Sequence, residues 1–139
     1  MSLSSRLFDV GPRTPIASAA LLLLRLGAGG LMATQHGWGK LSEFSAKSAT
    51  FPDPLGVGSE TSLALTCVGE FLAPVLIMLG LGTRLAAVPA AFAMAVAAFV
   101  VHAGDPIGRR ELALVYLLMF LVIAMLGPGR FSVDRKLEG

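Results

Sequence analysis

The sequence predicts an all-α polytopic membrane protein, a bundle of four helices with both termini on the same side. Two observations of composition carry this, and one of pattern. The chain is 55% hydrophobic and only 14% charged, where soluble domains carry roughly 25% charged residues. Its mean hydropathy of +0.76 points the same way. Four long apolar runs follow one another, parted by Gly- and Pro-rich joints, and a bilayer-spanning helix needs about 20 mostly apolar residues. The 139 residues read as one domain, 1–139.

The elements follow in order. Residues 1–14 are a polar start with Arg6, Arg13 and Gly11-Pro12. A first helix is predicted over 15–38, with Pro15 suited to its first turn. It does not read as a cleaved leader, because Arg25 interrupts the run and His36-Gly-Trp-Gly-Lys40 follows it. Residues 39–60 form a longer loop whose first part suits a short surface helix and whose Pro52-Asp53-Pro54 part must be irregular. The second helix covers 60–79, and Gly80-Leu-Gly82 is a tight connection. Thr83 is expected to cap a third helix over 83–103. That helix is alanine-rich, which lets neighbours approach closely in lipid. The fourth helix covers 110–126 and is stopped by Gly127-Pro-Gly-Arg130.

With four crossings, the basic residues divide into two groups. Arg6, Arg13, Arg84, Arg130, Arg135 and Lys136 lie on the terminal side; Lys40, Lys47, Arg109 and Arg110 lie on the other. The bias favours cytoplasmic termini.

Composition also excludes some functions. A net charge of +2 with no basic stripe is no footprint for nucleic acid. The lone Cys67 can form neither an internal disulfide nor a CxxC pair, and it reads as a small core residue. Any redox role must therefore use a bound cofactor, a substrate or a partner protein.

Two charges sit inside apolar runs, Arg25 in the first and Glu70 in the second. A charge at that depth is costly unless it is paired or reaches a water-filled cavity. Arg25 and Glu70 are therefore expected to form a structural ion pair between the first two helices. Arg25, Gly29, Met32 and His36 share one helical stripe. His36, Lys40, Asp53, Glu60, His102, Asp105 and Glu111 all fall on the side away from the termini. The expectation is a polar cleft with His36, His102 and Glu111 at its mouth and Arg25–Glu70 as its floor. Such a cleft suits the headgroup of a quinone, bound by Arg25, His36, Lys40 and His102, with His36, Glu70 and Glu111 as proton-handling catalytic candidates.

Plainer roles stand beside these. Arg25–Glu70 also works as a simple lock, His102 as a cap on carbonyls, Glu111 as a first-turn carboxylate favouring the helix dipole, and Trp38 as an interfacial anchor. His36, His102 and Glu111 would also make a two-His, one-carboxylate metal set. A haem between His36 and His102 is a further reading.

These residues resemble the DoxX family of small membrane proteins. The likeness rests on Leu24-Arg25-Leu-Gly27, His36-Gly37-Trp-Gly-Lys40, Gly69-Glu70, Gly80-Leu-Gly-Thr83-Arg84 and Gly127-Pro-Gly-Arg130-Phe-Ser-Val-Asp134. It implies a four-helix bundle in a bacterial cytoplasmic membrane, with relatives similar to the membrane subunit of thiosulfate:quinone oxidoreductase. By the same resemblance Arg25, His36, Lys40, Glu70 and Glu111 match polar positions of the family. Quinone as substrate or cofactor, and a soluble or membrane oxidoreductase as partner, are what it leads one to expect. The alternatives are a non-catalytic membrane scaffold for a soluble oxidoreductase, a metal- or haem-binding membrane protein, and self-association as a homo-oligomer.

Overall fold

The computed structural model describes residues 2–138. Among these the secondary structure is helical throughout: α1 (Leu3–Leu7), α2 (Pro15–Ser42), α3 (Phe44–Lys47), α4 (Ser59–Leu79), α5 (Thr83–Val101), α6 (Ile107–Leu126) and α7 (Val133–Leu137). Three of them, α2, α4 and α5, are long and apolar enough to cross a membrane. The 20-residue α6 is of similar length but opens with Arg109, Arg110 and Glu111.

Two boundaries move in ways that matter. The first helix continues past residue 38 to Ser42, so Lys40 is helical rather than part of a loop. The last long helix starts at Ile107, straight after Pro106, and takes in both arginines. The core lies where α5 packs along α6, the most extensive helix pair. Ala86, Ala87, Ala90 and Ala91 of α5 are buried there with Phe120 and Ile123 of α6. The alanines let the two backbones close together, as their small size predicts.

Each of α2, α4 and α5 contains one wider, π-helical turn: Ala33–Gly37, Val68–Leu72 and Ala97–Val101. The amides of Trp38, Ala73 and His102 reach back five residues, to the carbonyls of Ala33, Val68 and Ala97. Such bulges occur frequently at functional sites. In α4 the cause is legible. Pro74 has no N–H to offer the Glu70 carbonyl and its ring crowds that oxygen. Gly37 of α2 packs directly against the same carbonyl, where no side chain would fit.

The C-terminal segment meets the turn at 80–83, where the Asp134 amide donates to the Gly80 carbonyl, and it is tied to the N-terminal segment by Gly129 N–H donating to Val10 O. The expected Thr83 cap is replaced by one from the tail. Helix α5 begins at Thr83, and the buried Asp134 carboxylate accepts from Gly82 N–H, Thr83 N–H and the Thr83 hydroxyl at 2.7–3.0 Å. A carboxylate at a helix start satisfies free amides and favours the dipole.

Candidate functional site

Arg25 and Glu70 do not pair. Arg25 is 1% exposed and donates to four backbone carbonyls: Ile77 and Met78 at the end of α4, and Pro128 and Phe131 in the segment after α6. Glu70 accepts instead from the Lys40 ammonium at 2.5 Å. The reason lies in helix geometry. Side chains on a helix lean toward its N-terminus, and α2 and α4 run antiparallel, with 15–32 against 73–79 and 33–37 against 68–72. Arg25 and Glu70 therefore lean apart, toward opposite ends. Lys40, set further along α2, leans back down that helix and meets Glu70 coming up from α4. The same ammonium donates to the His36 carbonyl at 3.1 Å.

Two cavities flank this pair. The larger, about 410 Å³, lies between α4, α5 and the 51–57 loop. Its walls are largely apolar, with Leu65, Val68, Phe92 and Val96 among them, and Lys40, Glu70 and His102 supply the polar part. Small-molecule sites typically measure ~300–1,000 Å³ with a few placed polar groups. The smaller cavity, about 220 Å³, is lined by Met32, His36, Glu70, Met94, His102, Arg109 and Tyr116, among others. Every π-helical turn contributes to these walls: His36 from the first, Val68 and Glu70 from the second, Ala97 and Val101 from the third.

The loop over the larger cavity is tied down by Asp53. Its carboxylate accepts from Val57 N–H, Gly58 N–H and the Ser62 hydroxyl. The Ser62 hydroxyl, then the Gly58 amide, hold the Asp53 acid below the ordinary aspartate range. Asp53 is therefore a loop anchor rather than a group of the cleft mouth.

The expected site residues thus divide. His36, Lys40, Glu70 and His102 come together around the cavities. Arg25 lines neither, because its guanidinium is spent on carbonyls at the opposite end of α2. Glu111 lines neither and is exposed on the outer side of α6. His102 is held by Asp105, 2.7 Å from Nδ1 to Oδ2. The metal set of His36, His102 and Glu111 is not assembled, and no group of three His, Cys, Asp or Glu residues gathers among the described residues. His36 and His102 share the smaller cavity, of about 220 Å³. Cys67 is buried in the core, as expected. Trp38 is half exposed and leans on Phe71, centroids 5.8 Å apart.

Tyr116 is a member of the site that sequence reasoning missed. Its ring stands edge-on to His36 with centroids 5.7 Å apart. It is the lone tyrosine and shares the α6 face of Phe120 and Ile123, a pattern that marks it as inward-facing. Arg109 was likewise read only as a topological charge.

The comparisons fit this picture. Curated proteins and solved structures give no match. The family model described as DoxX matches residues 20–103, which takes in α4 and α5, nearly all of α2, and the three π-helical turns, and stops before α6. That match spans more than half of the sequence, and the chain belongs to the DoxX family.

Proposed function

We propose that this DoxX membrane protein binds a quinone in the larger cavity and serves as a quinone-linked redox protein or as the membrane subunit of one. The observation that carries the reading is the Lys40–Glu70 pair set in the wall of a largely apolar cavity of about 410 Å³. An isoprenoid quinone has that division: an apolar body and two carbonyl oxygens that accept hydrogen bonds. Lys40 donates to a quinone oxygen, while Glu70 and His102 hold the protons that accompany reduction. Reduction of the quinone to the quinol takes two electrons and two protons. The electrons come from a reduced soluble or membrane oxidoreductase partner, and the protons from this wall.

In the membrane, α6 makes the fourth crossing of a single four-helix domain. Arg109 and Arg110 sit at its interfacial end, where long basic side chains reach headgroups. The distribution of basic residues supports cytoplasmic termini in a bacterial inner membrane, which turns the cavities toward the outer face.

The test is titration of the purified protein with decylubiquinone. Saturable binding that raises the thermal unfolding temperature, and that Glu70→Gln weakens by about tenfold, supports the reading; a hydrogen-bonded charge is worth ~1.5–3 kcal/mol. Absence of saturable binding refutes it.

A further inference from the structure

The two cavities are not independent. Glu70, Ala97 and His102 line both, so Glu70 stands in the wall between them. Their chemistry differs. The larger is mostly apolar apart from Lys40, Glu70 and His102, whereas the smaller adds His36, Arg109 and Tyr116 to Glu70 and His102. Among the described residues no protein group hydrogen-bonds the Tyr116 hydroxyl. Yet no buried side-chain nitrogen or oxygen lacks a partner. The hydroxyl therefore keeps some exposure, and Tyr116 is one of the residues that line the smaller cavity. That cavity has room for several waters, each able to bridge these donors and acceptors.

We propose that Glu70 is a two-sided proton carrier, facing a ligand through the larger cavity and water through the smaller one. The Glu70 carboxyl gives its proton to an oxygen of the ligand, leaving a carboxylate held by the Lys40 ammonium. A proton then arrives from outside along waters ordered by Tyr116, His36 and Arg109 and restores the acid. No electron moves in this exchange. The groups facing Glu70 are Lys40 and His36 from α2, Cys67 from its own helix, His102 from the end of α5, and Arg109 and Tyr116 from α6. Glu111 takes no part. The identity of the ligand rests on the quinone reading; the aqueous route does not.

Two measurements separate these claims. The first uses Cys67→Ser as background and places one cysteine at Ala113, in the wall of the smaller cavity, or at Ile123, in the core. A charged, membrane-impermeant methanethiosulfonate reagent is expected to modify Ala113→Cys at least about tenfold faster than Ile123→Cys, since only the former meets water. Equal, slow modification of both overturns the proposal whether or not quinone binds. The second measurement uses Tyr116→Phe, which keeps the ring, and Ala113→Leu, which fills the cavity. Both should slow, by about tenfold or more, the appearance of the Glu70 carboxylic-acid infrared band after the medium is acidified. Should Ala113→Leu fail to fold, the shape-conserving Tyr116→Phe decides the matter. A band that appears as fast as in the parent protein overturns the route. Loss of quinone binding in the parent protein, with Ala113→Cys still readily modified, sinks the functional reading alone.

Discussion

The two ends of the helix set handle buried charge in opposite ways. At the terminal end, charged side chains are bound to backbone. Arg25 serves four carbonyls, Arg84 serves those of Asp9, Ala124, Met125 and Leu126, and Asp134 serves two amides and a hydroxyl. These contacts close the ends of α4 and α6 and the start of α5, where free backbone groups would otherwise be stranded. At the other end, Lys40 and Glu70 bind mainly each other and face open space. A buried charge that meets backbone on all sides is a clasp. A charge pair that faces a cavity is a site.

Disturbing the clasp should have the largest effect on stability. Arg25→Ala would leave four carbonyls without their donor, at ~1–3 kcal/mol for each group that stays buried. We expect a loss of more than about 3 kcal/mol, seen as a collapsed thermal unfolding temperature in detergent. Arg25→Lys should rescue little of it, because an ammonium lacks the planar fork that spans two helix ends. Asp134→Ala is next. Losing the cap on α5 should cost about 1–2 kcal/mol, and the amides of Gly82 and Thr83 should exchange faster with deuterium. Should Arg25→Ala unfold no more easily than Asp134→Ala, the ranking of the clasp contacts is wrong.

The site should behave the other way. Glu70→Gln keeps the shape and a hydrogen-bond acceptor for Lys40. It should cost stability, since the Lys40 ammonium loses its counter-charge in a wall where neither partner is more than a quarter exposed, but less than Arg25→Ala, since the amide still accepts from Lys40, while ligand binding falls sharply. The smallest effect belongs to the loop. Because the folded Asp53 acid is depressed, its contribution is fully present above the ordinary aspartate pKa and is lost as pH falls through the lower, folded value. Protection of the Val57 and Gly58 amides should therefore persist at mildly acidic pH and fade only below the ordinary aspartate range. Fading near neutral pH would mean that Asp53 does not anchor the loop.

Much of this was legible in the sequence. The apolar runs, the Gly80–Gly82 turn and the breaker at Gly127-Pro128 fix the helices to within a few residues. His36, Lys40, Glu70 and His102 line the two adjoining cavities, because helix order alone brings their ends together. The partner of Glu70 was not legible. Matching depth along two apolar runs suggested Arg25, but the lean of side chains on antiparallel helices decides the matter and selects Lys40. That in turn required α2 to run on to Ser42, through a π-helical turn that periodicity does not announce. The trans cap by Asp134 is a contact between positions 51 and 52 residues apart, and no local pattern encodes it. Tyr116 was hidden by its company, since an aromatic among apolar neighbours reads as core until a cavity is found beside its hydroxyl.

The most direct test of the account is the affinity of decylubiquinone for the parent protein and for Lys40→Met, with thermal unfolding followed in parallel. Lys40→Met keeps much of the side-chain volume and removes the charge. We expect affinity to fall by about tenfold or more, as the loss of a charged hydrogen bond implies; the unfolding temperature should also drop, because the buried Glu70 loses its counter-charge, yet the protein should still be folded at the assay temperature. Undiminished affinity, or a loss of binding that merely follows a loss of folding, would contradict the claim that Lys40 and Glu70 form a site rather than a second clasp.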